Sequence, residues 1–500
     1  LAQHLRLHGG GDWIKVNDWI SIGPDGELVV STERSPDVRD ANVDRSAYPI
    51  HAKDATRIPI DLAEIDRLAN AAPDHVRSAW FDDRQWLDDV AGVRSSVPWN
   101  GQVRESTLTP AEVGRLLDIN NCAAVSRDEE DKIKNTMFVF KTPEDAKTRN
   151  RVIKWPFDDN LLFNRSYCRN RGNTTRRRAR SAALFAEGAI TLDVAAMFDG
   201  IPISEALSWC QTFRVGKKIY RNLRLPMGGR LSTQIATSLI KVLLGESPST
   251  VRVEHATDNV RFSGPRADVI AAAWSFIRRC AGANVSLNEI NAKTATIADV
   301  EKLYTTTGSD FMGEVSDFAK HTVACRPRHV DKLRSLFAAT LTYGCSNSSF
   351  FGLYAMLLYM SETLGIRLDQ YYSVRLFYSQ LARRLAYDQT LWAKPATALP
   401  PARPLAQWVS LALCNSPGQL TPVQKPSAVL IGDASAVGYG GILYSPTING
   451  GSSCLLIQRR WDPSTKAAMD LGHSTNSEPE AAIRLLDAAH DILGSSTAIL

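Results

Sequence analysis

No run of about 18 apolar residues exists in this 500-residue chain, so its sequence offers no membrane span. Its eight cysteines, at positions 122, 168, 210, 280, 325, 345, 414 and 454, are scattered. They form no C-x-x-C pair and no Cys/His ligand spacing, which excludes a zinc module and a disulfide frame and leaves reduced thiols of an intracellular protein. Cytoplasm and nucleus are not distinguished by this. No repeat period is visible, which excludes a solenoid. The Gly-rich H-G-G-G-D near the start lacks the Lys-Ser/Thr and strand-to-helix context of a phosphate loop. A strong excess of one charge is missing too: the net charge is +5. The chain begins with Leu1 and its first methionine is Met137, so it is expected to be a processed product or a piece of a longer polyprotein.

What is present is the composition of a globular protein, 44% hydrophobic and 22% charged, long enough for about two to four domains. Basic character is local. Residues 160–185 contain no acid and carry Arg165, Arg169, Arg171, Arg176, Arg177, Arg178 and Arg180. Such a run is ordinarily a solvated face, but here it leads directly into the segment that carries the candidate chemistry, which favours phosphate contact by Arg176, Arg177 and Arg178.

That segment runs from Ile190 to Gly264. In I-T-L-D-V-A-A-M-F, Asp193 ends a short apolar run and Phe198 follows five residues later. R-L-P-M-G-G-R-L-S-T follows from Arg224, and V-R-V-E-H-A-T-D-N-V-R-F-S-G places Asp258 and Asn259 between two β-patterned runs. An Asp-Asn pair at a hairpin tip suits the positive φ of a tight turn. Two carboxylates are thus offered at strand ends, and such a pair can bridge hard, oxygen-seeking divalent cations for phosphoryl transfer.

The order and spacing resemble the palm of reverse transcriptases: Asp193 with Phe198, then Leu225, Pro226, Gly228 and Ser232, then Ala256-Thr257-Asp258-Asn259. The chain departs from that pattern at Ala256, where the family has an aromatic, at Asn259, where it has a second Asp, and at Met227. The resemblance implies Asp193 and Asp258 as ligands of Mg²⁺ or Mn²⁺, with Asn259 in place of the weaker third carboxylate. It implies Phe198 as a steric gate against a ribose 2′-hydroxyl, and Met227 and Gly228 beside the incoming nucleotide.

Before this segment, Thr109-Pro110-Ala111-Glu112 is a capped helix start. Strands near Thr136–Lys141 and Arg151–Trp155 resemble the family's fingers, where Lys141 or, with better spacing, Arg151 would meet the triphosphate. After Asp193 the pattern predicts a helix over Ile203–Phe213, a hairpin at Gly216-Lys217, and helices over Ser232–Leu244 and Arg266–Ala281. N-V-S-L-N-E-I-N-A-K, ending in Lys293, resembles the family's lysine loop, and Phe311-Met312-Gly313-Glu314 resembles the hairpin that grips the primer end. Residues 328–385 are helical throughout, as a thumb would be, and 394–426 read as a Pro/Ala-rich linker and connection.

A second fold begins near Ser427. Three strands carry Asp433 at the end of the first, and a helix starts near Ser477. D-A-S-A-V-G-Y-G-G followed by T-N-S-E-P-E resembles ribonuclease H, with Asp433 and Glu480 as metal ligands and Glu478 as the alternative to Glu480. The fourth strand is expected at Thr497–Leu500, where the chain stops before the family's third carboxylate.

The expected architecture is therefore α+β: an N-terminal extension (1–106), a right-hand polymerase with fingers and palm (107–325) and a helical thumb (326–393), a connection (394–426), and a partial ribonuclease H-like α/β domain (427–500). The resemblance is to retroelement reverse transcriptase–ribonuclease H polyproteins, DIRS-like, VIPER-like or Ty3-like. Expected partners are an RNA template, a DNA primer, RNA–DNA hybrid and deoxynucleoside triphosphates. The competing expectation is a catalytically decayed scaffold of the same fold that binds RNA.

Overall fold

The computed structural model describes residues 14–17, 20–22, 28–30, 44–97, 99, 101–144, 147–162, 172–341, 345–420, 429–445, 453–468, 470–471 and 474–493. Arg165, Arg169, Arg171, the H-G-G-G string and the expected strand at Thr497–Leu500 lie outside them. The chain is mixed α and β and parts into two compact units, Leu1–Thr421 and Pro422–Leu500. Among the described residues no helix is long and apolar enough to cross a membrane.

The first unit opens with a small antiparallel sheet, β1 (Ile14–Asn17), β2 (Ile20–Ile22) and β3 (Leu28–Val30). Helices α1 (Leu62–Asn70) and α2 (Asp74–Ser96) follow. The capping box at Thr109 and Glu112 starts α3 (Pro110–Asp118) as the sequence predicts. Next come β4 (Cys122–Ala124), the hairpin β5 (Phe138–Glu144) with β6 (Arg149–Trp155), α4 (Phe157–Leu162) and α5 (Arg176–Leu184). Strand β7 (Gly188–Asp193) leads into one helical turn, α6 (Met197–Gly200).

The helix expected over Ile203–Phe213 is only α7 (Glu205–Trp209), because Thr212, Phe213 and Val215 pair as strand β8 (Thr212–Val215) with β9 (Lys218–Asn222). The predicted helix over Ser232–Leu244 is α8, stopped by Gly245 at φ +59°. Strands β10 (Arg252–Ala256) and β11 (Asn259–Gly264) form a hairpin, and β11 pairs antiparallel with β7 to give the sheet order β10-β11-β7. Helix α9 (Arg266–Gly282) and the short α10 (Ile297–Glu301) pack beside it.

The rest of the unit is a sheet, β12 (Ser309–Phe311), β13 (Glu314–Asp317), β14 (Thr322–Cys325) and later β15 (Gly418–Gln419), enclosing the helices. These helices are α11 (Pro327–Leu341), α12 (Asn347–Leu364), α13 (Tyr372–Tyr387) and α14 (Ala402–Cys414). Helix α14 falls inside the stretch expected to be linker. Its Leu405, Trp408, Val409 and Ala412 are fully sequestered and close the helical core.

The largest core joins α1, α2, β7, α8, β11 and α9 through Trp80, Leu192, Leu239, Phe262 and Phe276. Residues 61–97 are thus built into the unit and not appended to it. Asp83 of α2 is wholly buried and accepts hydrogen bonds from Gln234 Nε2 (2.6 Å) and Ser238 Oγ of α8. A buried carboxylate so bonded has its desolvation offset only in this docked position.

The second unit is an antiparallel sheet, β16 (Val429–Ala434), β17 (Gly438–Ser445) and β18 (Ser453–Arg460), with helices α15 (Pro463–Ala468) and α16 (Ser474–Leu493). Leu443, Ile457, Leu485 and Ala489 form its core.

Candidate active site

The antiparallel register of β7 and β11 sets Asp193 opposite Asn259, so the carboxylate ending one strand meets the tip of the β10–β11 hairpin. The turn itself is Thr257-Asp258, with Thr257 at φ +56°, while Asn259 already belongs to β11. The hairpin therefore turns one residue earlier than an Asp258-Asn259 tip would require, because Ala256 and Asn259 close the ladder. Val194 N donates to Asp258 O at 2.8 Å, which locks the turn onto the end of β7.

The side chains show the electrostatic cost of this meeting. The Asp193 carboxyl is pushed up to about 6, first by burial and then by the charges of Asp258 and Glu289. Glu289 Oε2 accepts from Asp193 N at 2.9 Å, and Asn288 N donates to Asp193 O at 2.9 Å. Sequence reasoning singled out Lys293 at the end of this loop, yet Asn288 and Glu289 are the residues that touch Asp193, and Lys293 is exposed. Asn259 Nδ2 donates to Asp258 Oδ1 at 3.1 Å. Among the described residues no three His, Cys, Asp or Glu side chains are drawn together as a ready metal cage. A pair of carboxylates still fits Mg²⁺, which is commonly bound through one or two carboxylates plus substrate phosphates.

Phe198 of α6 is half-buried against the main core. Ala196 ahead of it is left-handed, at φ +49°. Leu225 and Pro226 are buried, and Met227 and Gly228 are half-buried. At Gly228 a Cβ would lie 2.8 Å from Lys154 O and 3.0 Å from Trp155 Cα of β6, so close protein packing alone requires a small residue. Gly228 N donates to that same Lys154 carbonyl at 2.9 Å. The turn thereby fastens the β5–β6 hairpin to the start of α8.

On this hairpin the cations sort themselves. Lys141, one of the expected triphosphate contacts, is mostly buried and bonded to Glu112 Oε1 (3.0 Å) and Ser46 O (3.2 Å). Lys154 is buried among Asn121, Asn222 and Asp199, and burial lowers its pKa. Arg151 keeps 42% of its side chain exposed and touches Glu144 at 3.3 Å.

The arginine run divides in the same way. Arg176 lies over the Tyr359 ring at 3.9 Å, donates to Tyr359 O at 2.9 Å, and pairs with Glu362 and Glu314. Arg180 pairs with the same two glutamates, at 2.7 and 3.6 Å. These two, the expected nucleic-acid contact Arg176 among them, fasten α5 to α12 and β13. Arg177 and Arg178 are exposed. Gly313 stands where expected, at the tip of the β12–β13 hairpin, with Met312 at φ +53° and Gly313 at φ +83°. Tyr359 Oη donates to Met312 O at 2.8 Å and holds that tip.

In the second unit Asp433 ends β16, is exposed, and accepts from Ala434 N at 2.9 Å. Glu480 accepts from Arg484 Nε at 2.9 Å. Glu478, one turn-face away, lines one recess together with Asp433. Of the two glutamates, Glu478 shares a recess with Asp433, while Glu480 is paired with Arg484. His490 falls within α16, but its side chain is outside the described residues.

No protein-family model matches the chain, and no curated protein matches it. Among solved structures it is similar to a foamy viral protease–reverse transcriptase in complex with double-stranded DNA, at 13% identity and a TM-score of 0.46 over 89% of each chain. It is also similar to a foamy viral protease–reverse transcriptase in complex with RNA/DNA hybrid, at 14% identity and a TM-score of 0.47, over 89% of this chain and 57% of that one. A third, a dRH form with double-stranded DNA, gives 13% identity and a TM-score of 0.44 over 94% and 78%. All three likenesses are distant.

Proposed function

We propose that this chain is a retroelement reverse transcriptase. It would extend a DNA primer 3′-hydroxyl with deoxynucleoside triphosphates on RNA or DNA templates, and carry a ribonuclease H-like unit acting on RNA in RNA–DNA hybrids. The observation that carries the reading is the junction of β7 with the β10–β11 hairpin, where Asp193 meets the Asp258 turn and its carboxyl is pushed up to about 6 by burial and by neighbouring negative charge. Carboxylates assembled against their own repulsion are a site poised for positive charge.

Asp193 and Asp258 would hold Mg²⁺ or Mn²⁺. When bound, the cations supply stabilisation of the attacking and leaving oxygens of the displacement. Arg151 would neutralise charge on the phosphates of the incoming nucleotide. Phe198, fixed against the core, would fill the space of a ribose 2′-hydroxyl, and Lys293, Arg177 and Arg178 would face nucleic-acid phosphates. Asp433 and Glu478 would form the second cation pair in the other unit.

The test is primer extension on an RNA template with deoxy- and ribonucleotides. The parent should incorporate deoxynucleotides, and Phe198→Ala should gain ribonucleotide incorporation by roughly tenfold or more, as expected when a clash is relieved. One observation favours the scaffold reading instead: the Asn259 amide donates to Asp258 and occupies a lone pair that a cation would use. Duplex binding by the parent with no extension under Mg²⁺ or Mn²⁺ would select it.

A further inference from the structure

The N-terminal segment forms a strap from the β5–β6 hairpin to the catalytic strand. At the hairpin, Asn150 N donates to Pro49 O (2.8 Å), His51 N donates to Asn150 O (2.7 Å), and Asn150 Nδ2 donates to Arg45 O and Tyr48 O at 2.9 Å each. At the far end, Ile60 N donates to Gly200 O and Asp61 N to Ala283 O, both at 2.9 Å. Between these anchors Lys53 reaches the Asp193 site and donates through Nζ to Asn288 Oδ1.

An ammonium only donates, so it holds the Asn288 carbonyl oxygen towards itself and leaves the amide Nδ2 to face the Asp193 carboxylate, with which Asn288 is hydrogen-bonded. On its other side, Lys53 is felt by His51, whose Nδ1 lies 2.8 Å from Arg149 Nη1. Burial, then the charges of Arg149 and Lys53, push that imidazole down to about 4. Arg149 and Arg151 are both paired with Glu144, at 2.7 and 3.3 Å. The hydrogen bond found for Lys53 among the described residues is to a neutral amide, and its charge is felt both by Asp193 and, towards the hairpin, by His51.

We propose that Lys53 contacts the phosphates of a polyphosphate laid between Asp193 and the β5–β6 hairpin. Identifying that polyphosphate as the triphosphate of the incoming nucleotide rests on the polymerase reading above. The strap would then be part of the nucleotide site and not an appendage. It releases Asn288 and takes a charge-assisted bond to a phosphate oxygen when ligand arrives, with no backbone rearrangement, since the anchors on both sides are backbone hydrogen bonds.

Binding of inorganic tripolyphosphate with Mg²⁺ present, followed by calorimetry, tests the site without any polymerisation. Lys53→Gln should weaken binding roughly tenfold, the worth of one charge-assisted hydrogen bond, and Lys53→Arg should retain it. Both variants should melt with the parent, since the strap's anchors are untouched. In primer extension, Lys53→Gln should raise the deoxynucleotide KM by a similar factor with kcat nearly unchanged. Unaltered tripolyphosphate binding in Lys53→Gln, or no binding by the parent, would overturn the inference. Lys53-dependent binding in a parent that extends no primer would overturn the polymerase reading and leave the phosphate site standing.

Discussion

Asp193 carries the strongest residue-scale signature. Its carboxyl titrates near 6 in the folded chain against an ordinary 3.8. The folded state therefore holds this proton more tightly than the unfolded chain does, so stability falls as pH rises through the window from about 4 to about 6 and stays lower above it. Asp193→Asn should remove that loss and raise stability at pH 7 by about 1–2 kcal/mol after allowance for solvent screening, with little gain at pH 4. Urea denaturation at the two pH values measures this; an equal gain at both would contradict the assigned cause. The carboxylates were legible in the sequence as Asp193 and Asp258. Their partners Asn288 and Glu289 were not, because a loop residue's approach to a strand 95 or so positions earlier leaves no periodic trace. The i,i+4 pairing of Glu480 with Arg484 is, by contrast, local in sequence.

At the scale of elements, hairpins and helices with local chemistry were the readable parts. The capping box of α3, the span of α8 with its Gly245 stop, and the β12–β13 tip all follow from neighbours in sequence. Helix α14 was hidden by its prolines. Pro404 sits in its first turn, where a missing N–H costs nothing, so a proline-rich stretch that suggests linker is compatible with a helix start. Strand β8 was hidden by a continuous helical pattern from α7 that tertiary pairing with β9 cuts short. The β12–β13 tip also makes a prediction. Gly313 has φ +83°, and a Cβ there would collide with Tyr359 Oη and His329 Cε1. Gly313→Ala should cost about 1–3 kcal/mol and, if the hairpin holds the primer end, reduce extension on long products more than single-nucleotide addition. A stability unchanged from the parent, by thermal melting, would contradict that packing.

For the whole molecule, the division at Thr421 separates two candidate chemistries. The sequence placed a new fold near Ser427 but treated residues 1–106 as an extension. Within that stretch α1 and α2 share the main core, Asp83 docks beneath α8, and Lys53 reaches Asn288 beside Asp193. Long-range burial of this kind is invisible to composition, since an amphipathic helix shows that it packs but not against what. The proposed site residues, from Lys53 and Arg151 to Asp193, Asp258 and Gly313, accordingly all lie within the first unit.

If the junction of Asp193 with the Asp258 turn catalyses nucleotide addition, as proposed, extension of a primer must depend on it. The most direct measurement is primer extension on an RNA template with deoxynucleotides and Mg²⁺ or Mn²⁺, comparing the full chain, a chain ending at Thr421, and Asp258→Ala. Extension is expected from the first two, with a loss of at least roughly a hundredfold in the third, the scale seen when a charge-stabilising group at a reacting centre is removed. Extension that survives Asp258→Ala, or none from any of the three while duplex binding persists, would contradict it.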